Sequence, residues 1–233
     1  MKKIVITGGS NGIGLECVKK FSANGYLVFI LDNKEPSSKL NADVIYYNCD
    51  VSNYDRTLEC ANDITNKYGN IDILINCAGI QLVAPFSEYN YDEWMKIFKT
   101  NYFGTCNTIH SFIRHMTKYS TILNILSVHS SKPRENKYAY DSSKSAIEQL
   151  TKELALEFSS RNITVNALSF GAVNTNMNKD LTEHEKEIAK NKVPLKKIFE
   201  AYEIADFTYD IANNFSKYTT GSIFTIDGGR SLI

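Results

Sequence analysis

Apolar residues follow two alternating patterns along the chain. Short runs rich in valine, isoleucine and leucine are typical of buried strands, and they cover residues 3–7, 27–31, 44–47, 71–75, 121–126, 164–167 and 223–226. Longer stretches between most of them, such as 54–68, 91–118 and 138–160, carry apolar residues at helical spacing. This alternation predicts an α/β fold, a doubly wound parallel seven-stranded sheet with helices on both faces. We expect one domain over residues 1–233.

Composition and charge narrow the class of ligand. Twenty-six basic residues balance 26 acidic ones, so no net field attracts nucleic acid or an anionic membrane. The five cysteines include no C-x-x-C pair and no histidine at ligand spacing, which predicts neither a disulfide framework nor a metal site. The apolar runs are too short for a signal peptide or a membrane span. We expect a cytoplasmic protein that binds a small molecule and neither nucleic acid nor a membrane.

A glycine-rich segment follows the first predicted strand and opens a helix. It reads Thr7-Gly8-Gly9-Ser10-Asn11-Gly12-Ile13-Gly14. Glycines permit a sharp turn and let backbone amides approach a pyrophosphate, and the helix N-terminus favours its negative charge. The alternative is a glycine-rich turn without a ligand. The strand–turn–helix context favours a cofactor-binding role for Gly8, Ser10, Asn11, Gly12, Ile13 and Gly14.

The end of the second strand bears on the identity of that cofactor. Asp32 lies 18 residues beyond Gly14, where a carboxylate accepts hydrogen bonds from the adenosine ribose hydroxyls. The same carboxylate would repel a 2′-phosphate, which favours NAD(H) over NADP(H). Lys34 is the nearby cation that softens this preference, so NADP(H) stays possible. A plain polar turn at Asp32-Asn33 is the alternative.

Two further segments follow the third and fourth strands. Asp50 and Val51 are placed to hold an adenine edge, although an aspartate at a helix start is often only a cap. In Asn76-Cys77-Ala78-Gly79, small residues would let the chain pass close to the cofactor. Each of these signals is weak alone.

A tyrosine and a lysine four residues apart begin the long helical stretch at 138–160. Tyr140 and Lys144 therefore share one helix face. A neighbouring ammonium favours the phenolate and lowers the tyrosine pKa from about 10, so Tyr140 becomes a usable general acid or base. Ser127 follows the fifth strand and is placed to hydrogen-bond a substrate oxygen. A solvated helix face is the alternative for any isolated Tyr-x-x-x-Lys.

These motifs occur in the order found in one enzyme family. From Thr7-Gly8 to Asp227-Gly228-Gly229 the chain resembles the short-chain dehydrogenases/reductases, which have a Rossmann-type fold. The resemblance implies that Asn101 anchors a water in a proton relay, Ser127 orients the substrate, Tyr140 is the acid/base, and Lys144 binds the nicotinamide ribose and tunes the tyrosine. It further implies cofactor contacts from Asn76, Ala78, Gly79, Val173 and Thr175, and from Tyr140 and Lys144.

The resemblance has two departures. Cys77 replaces the second asparagine of an Asn-Asn-Ala-Gly pattern and removes an amide that could brace neighbouring strands. Phe170 replaces a proline before Gly171, and because proline fixes φ while phenylalanine does not, the nicotinamide loop is expected to be looser or reshaped.

The implied activity is NAD(H)-dependent interconversion of an alcohol and a carbonyl. The alternatives are an NADPH-dependent ketoreductase similar to 3-oxoacyl-carrier-protein reductases and a non-catalytic dinucleotide-sensing module. Substrate identity is expected to reside in residues 81–86, 129–137 and 176–194, and a segment at about 174–198 is expected to cover the pocket. The resemblance also implies a homodimer or homotetramer that pairs through residues 91–118 and 138–160, where Ile147, Leu150, Leu154 and Phe158 are candidate contacts or ordinary core.

Overall fold

A computed structural model describes residues 1–36, 40–175 and 182–233, apart from the side chains of residues 183 and 186. The strands are β1 (Lys3–Thr7), β2 (Leu27–Asp32), β3 (Val44–Asn48), β4 (Ile71–Asn76), β5 (Met116–Ser127), β6 (Thr164–Phe170), β7 (Val173–Asn174), β8 (Phe199–Glu200) and β9 (Ile223–Ile226). The helices are α1 (Gly12–Ala23), α2 (Tyr54–Tyr68), α3 (Tyr91–Phe98), α4 (Gly104–Ile113), α5 (Tyr138–Ser159), α6 (Glu183–Asn191) and α7 (Ala201–Asp210).

Seven strands form one parallel sheet in the order β3-β2-β1-β4-β5-β6-β9. The predicted fold class is confirmed, and each predicted strand lies within an observed one. The order reverses between β1 and β4, and a ligand crevice forms at such a reversal, beyond the carboxyl ends of the strands. The small pair β7–β8 was not predicted, because two-residue strands carry no periodicity.

Helices cover both faces of the sheet. Alternate residues of each strand point to opposite faces, so Ile4 and Ile6 pack with α1 and α7, while Val5 packs on the other side with α2, α4 and α5. These two apolar layers hold the strand ends in register and so fix the geometry of the crevice.

Two of the four apolar α5 residues singled out as candidate subunit contacts belong to the core. Ile147 and Phe158 are 1% and 7% exposed, because they lie on the face of α5 that packs on the sheet. The strongly exposed apolar residue of α5 is Leu156, at 79%.

A short π-helix, Lys99–Phe103, joins α3 to α4 and carries Asn101. The sequence predicts one continuous helix across this region. A π-helix adds one residue to a turn, and such insertions are frequent at functional sites.

Candidate active site

One cavity of about 1140 Å³ opens at the carboxyl ends of β1, β2, β4, β5 and β6. This exceeds the ~300–1,000 Å³ typical of a site for one small ligand. The cavity therefore has room for a dinucleotide together with a small substrate. Predicted site residues that line it are Gly8, Asn11, Gly12, Ile13, Gly14, Asp32, Asp50, Val51, Ala78, Gly79, Ser127, Tyr140, Lys144, Val173 and Thr175.

The glycine turn forms one end of the cavity. A Cβ on Gly14 would lie 2.2 Å from the Gly8 carbonyl oxygen, and one on Gly8 would lie 2.8 Å from Ala78 Cα. Gly8 and Gly12 have φ of +66° and +54°, a region that side chains disfavour. In the described part of the chain no side chain caps α1, so its first-turn amides face the cavity and suit a phosphate. These features fit a dinucleotide.

The carboxylate of Asp32 is held at the edge of this turn. Its Oδ2 accepts a hydrogen bond from the Ser10 amide at 3.0 Å and its Oδ1 accepts one from the Lys34 amide at 3.1 Å. Each carboxylate oxygen has a second lone pair, so both oxygens can still accept a ribose hydroxyl.

Asp50 and Thr175 both line the cavity. Asp50 Oδ1 accepts bonds from the Ser52 amide at 2.9 Å and hydroxyl at 2.8 Å, which is the local turn expected of an Asp at a helix start. Thr175 Cβ and Cγ2 each lie 3.8 Å from the position of a Cβ on Gly12, which places the Thr175 side chain beside the glycine turn.

Three predicted side chains do not line the cavity. Ser10 Oγ donates to the Lys34 carbonyl at 2.5 Å. Asn76 Nδ2 donates to Asn124 at 2.9 Å, and Asn76 Oδ1 accepts from Thr108 at 2.6 Å. Both residues join elements of the scaffold, so Asn76 supplies the bracing between strands that the pattern assigned to position 77.

Asn101 is the third predicted residue whose side chain does not line the cavity, and it is fully buried. Its Oδ1 accepts from the Ile80 amide at 2.8 Å, and its Nδ2 donates to the Ile80 carbonyl and the Ser143 hydroxyl at 3.0 Å each. Its side chain thus fixes the loop after β4 against α5, in the vicinity of Lys144 Nζ, which lies 3.6 Å from a Cβ position on Gly79.

Ser127, Tyr140 and Lys144 meet in the middle of the cavity. The Ser127 hydroxyl lies close enough to Tyr140 to lower its pKa, and Lys144 Nζ lies 5.8 Å from the Tyr140 ring centroid. Lys144 Nζ donates to the Ile125 carbonyl at 2.7 Å. The last residue of β5 and the first two turns of α5 therefore bring the three predicted groups together.

Burial dominates the protonation of this group. It raises the pKa of Tyr140 to about 12 and lowers the pKa of Lys144 to about 8. The sequence predicts a lowered tyrosine pKa, and the structure shows the opposite, because both groups are withdrawn from water and burial disfavours their charged forms.

Arg134 is a cavity residue that the motif analysis missed. Its guanidinium carbon lies 5.9 Å from the Tyr140 ring centroid, and its charge favours the Tyr140 phenolate. It belongs to the segment 129–137 that we expected to face substrate. Nothing in the sequence distinguishes Arg134 from a solvated surface cation, because only the loop path brings it inward.

His129 in the same segment is a neutral acceptor at the cavity. Its Nδ1 donates to the Lys132 carbonyl at 2.7 Å, which leaves Nε2 as an acceptor. Burial, together with the nearby Arg134 charge, lowers its pKa to about 4.

The two departures from the family pattern both lie at the cavity. Cys77 lines it, and burial raises the thiol pKa to about 11, so the thiol is protonated. Phe170 is 3% exposed and pairs with Ser127 and Ile226 as the last residue of β6. The Gly171 amide then donates to the Ile226 carbonyl at 3.2 Å. Strand pairing thus continues through Phe170 where we expected a looser loop.

The described part of the 174–198 segment lies along the cavity. Ile188 and Ala189 of α6, followed by Lys192 and Val193, line it. Residues 176–181, where much of this prediction falls, lie outside the described residues. Among the described residues, no helix is long and apolar enough to cross a membrane.

Comparison with known proteins agrees with the sheet order and the glycine turn, which define a Rossmann-type protein. The short chain dehydrogenase family profile matches residues 2–186. The chain belongs to the short-chain dehydrogenase/reductase family, whose members are oxidoreductases that use a nicotinamide dinucleotide.

Curated relatives and solved structures are similar over nearly the whole chain. The 3-oxoacyl-[acyl-carrier-protein] reductase FabG of Chlamydia pneumoniae is 32% identical over 98% of this chain and 96% of its own. Glucose 1-dehydrogenase 2 of Bacillus subtilis is 27% identical over 99% of this chain and 95% of its own. The aldohexose dehydrogenase of Thermoplasma acidophilum has a TM-score of 0.92 at 27% identity, covering 100% and 94%. ElxO with NADP bound has a TM-score of 0.92 at 28% identity, covering 100% and 99%.

Proposed function

We propose that this protein is an NAD(H)-dependent oxidoreductase that interconverts an alcohol and a carbonyl, with Tyr140 as the acid/base. The convergence of Ser127, Tyr140 and Lys144 in one cavity beside a phosphate-binding glycine turn carries this proposal. A non-catalytic dinucleotide-sensing module would not need these three side chains close together, so their convergence favours an enzyme.

Each group has a separate part in the reaction. In carbonyl reduction the Tyr140 hydroxyl donates its proton to the substrate oxygen, and in alcohol oxidation the phenolate takes it back. The Ser127 hydroxyl hydrogen-bonds the same oxygen and orients it. Lys144 holds the ribose hydroxyls and stabilises the phenolate, while Asn101 acts indirectly by fixing the loop after β4 against α5. A bound nicotinamide supplies or accepts the hydride.

We assign the other predicted residues that line the cavity to different parts of the cofactor. Gly8, Asn11, Gly12, Ile13, Gly14 and Thr175 would hold the phosphates, and Asp32, Asp50 and Val51 the adenosine. Ala78 and Gly79 would lie along the cofactor, and Val173 would bind the carboxamide of the nicotinamide. Ser10 and Asn76 contribute indirectly through Asp32 and the strand network.

Cofactor preference rests on Asp32. A 2′-phosphate beside a carboxylate that already accepts two amides brings like charges together. An NADPH-dependent ketoreductase is the second candidate, favoured by the similarity to FabG and to ElxO with NADP bound.

Replacement of Asp32 tests this preference. We expect wild-type protein to bind NADH at least about ten-fold more tightly than NADPH, and Asp32→Asn to weaken NADH while strengthening NADPH, since one hydrogen bond to a charged group is worth roughly 1.5–3 kcal/mol. Fluorescence titration with both nucleotides measures it, and Asp43→Asn serves as the control because Asp43 bonds Ser22 away from the cavity. Tighter NADPH binding by the wild-type protein would favour the ketoreductase.

The Tyr140 and Lys144 pKa values give opposite pH profiles for the two directions. Oxidation needs the phenolate, whose fraction rises about ten-fold per pH unit below the Tyr140 pKa of about 12, and oxidation levels off above about pH 8, where Lys144 loses the charge that stabilises the phenolate. Reduction needs the phenol together with a charged Lys144, so it is constant from pH 6 and falls above about pH 8. The measurement is kcat/KM in both directions from pH 6 to 9. A flat oxidation profile would contradict the raised Tyr140 pKa.

Two further features complete the proposal. The residues of and after α6 that line the cavity form the cover expected at about 174–198 and shield the substrate from water. The exposed apolar residues Phe103, at 47%, and Leu156, at 79%, support pairing of subunits through the α4 and α5 region as a homodimer or homotetramer.

A further inference from the structure

Three basic side chains lie near one another, and we call them the basic corner: His129, Arg134 and Lys137, of which Arg134 lies over the Tyr140 ring. His129 and Arg134 line the cavity. Lys137 Nζ donates to Gln81 Oε1 at 2.5 Å, and Gln81 lines the cavity as well. The corner therefore adjoins the group that handles the substrate oxygen, on the substrate side of the site.

Hydrogen bonds to α5 hold Arg134 in position. Its amide donates to Asp141 Oδ2 at 3.2 Å, and its Nη2 donates to Asp141 Oδ1 at 3.0 Å. Its Nε is buried and has no hydrogen-bond partner among the described residues. Buried guanidinium donors are normally paired, because an unpaired one loses its hydration without compensation. Because the Arg134 guanidinium lines the cavity, a ligand acceptor there would compensate part of this loss.

The corner also holds more positive charge than its acids neutralise. Burial, together with the nearby Arg134 charge, lowers the pKa of Lys137 to about 8, and Arg134 acts in the same direction on His129. Asp141 is already paired with Arg134. Two cations held close together in a half-buried place repel each other, and an anion between them would be attracted to both.

We propose that the substrate carries a carboxylate that Arg134 and Lys137 bind, so that the reaction converts a short oxo acid to its hydroxy acid. This inference rests on the proposed oxidoreductase function. In the reduction the carbonyl carbon gains a hydride from the nicotinamide cofactor and the carbonyl oxygen gains the Tyr140 proton, while the carboxylate is unchanged. A charge-assisted bond from the Arg134 guanidinium, which lines the cavity, to one carboxylate oxygen would hold the carbonyl toward Tyr140 and Ser127.

Matched acids and esters test the inference on the wild-type protein. The compounds are 2-, 3- and 4-oxo acids of four or five carbons and their methyl esters, which keep the carbonyl and lose the charge. We expect at least one acid to be reduced with a kcat/KM roughly ten- to a hundred-fold above that of its ester, the range of one hydrogen bond between charged groups.

Variants of the corner locate the effect. Arg134→Met should raise KM for the acid by about ten-fold or more beyond any change for the ester, which reports the effect of Arg134 on Tyr140 alone, and Arg134→Lys should recover part of the acid-specific loss. Lys137→Met is a second variant, which does not break the Asp141 pair. Lys67→Met, at an exposed ion pair on α2, is the matched control. Calorimetric titration of the hydroxy acid into NADH-loaded protein gives a readout independent of turnover.

Each outcome bears on one of the two proposals. Esters reduced as well as their acids, or equal losses for acid and ester in Arg134→Met, would overturn the anion site and leave Arg134 as a residue that positions Tyr140. Arg134-dependent binding of the hydroxy acid without reduction of any compound would support the anion site and contradict the proposed oxidoreductase function.

Discussion

Tyr140→Phe is expected to lose about 10²- to 10⁴-fold in turnover, the usual contribution of a positioned general acid or base. The substitution removes one hydroxyl group from a ring that is enclosed by Ser127, Arg134 and Lys144. Since the ring stays, the cavity keeps its shape, and NADH affinity should be unchanged. Steady-state kinetics and an NADH titration together measure both quantities.

Tyr138→Phe is the matched control for this variant. Tyr138 lies two residues before Tyr140 in α5 and is 36% exposed. Its ring packs edge-on against Phe86, with 5.5 Å between the ring centroids. It should keep wild-type turnover. Unchanged turnover in Tyr140→Phe would contradict the acid/base assignment.

Gly14→Ala is expected to abolish dinucleotide binding and to destabilise the fold. The added Cβ would lie 2.2 Å from the Gly8 carbonyl oxygen and 2.8 Å from the Gly8 carbonyl carbon, and backbone atoms cannot rotate away as a side chain can. Overpacking of this kind costs about 1–3 kcal/mol or more, and the glycine turn must open to relieve it. Urea denaturation measures the free energy of unfolding, and NADH fluorescence measures binding.

Gly25→Ala separates backbone strain from steric overlap. Gly25 has φ of +77° but no atom within 4 Å of its Cβ position among the described residues. It should therefore cost roughly 1–2 kcal/mol through its left-handed backbone alone and leave NADH affinity unchanged. Wild-type NADH binding by Gly14→Ala would show that the turn does not cradle the cofactor.

The sequence predicts the sheet well because its strands are buried on both faces and read as apolar runs. Ile4, Val5 and Ile6 illustrate this, since each packs in one of the two layers. The site residues that follow these strands can be predicted equally well. The carboxyl ends of parallel strands lie at one edge of the sheet, and Asp32, Ser127 and the glycine turn are found there. Local spacing alone places Tyr140 and Lys144 on one helix face.

The rest depends on contacts that spacing does not encode. Asn76 belongs to a buried network with Thr108 and Asn124, which are distant in sequence. The Tyr140 pKa depends on burial, which outweighs the charge of Arg134. Arg134 enters the cavity because Asp141 holds its loop against α5, and no local pattern predicts that pairing.

Transfer of deuterium from the cofactor tests the central claim most directly. The protein would be incubated with NADH carrying deuterium at both C4 positions and a panel of oxo acids, their methyl esters and simple ketones, and the products examined by mass spectrometry. The account predicts an alcohol with one deuterium on the former carbonyl carbon, formed by wild-type protein and by Tyr138→Phe at rates at least about 10²-fold above Tyr140→Phe. Absence of deuterated alcohol with both NADH and NADPH, despite nucleotide binding, would contradict it.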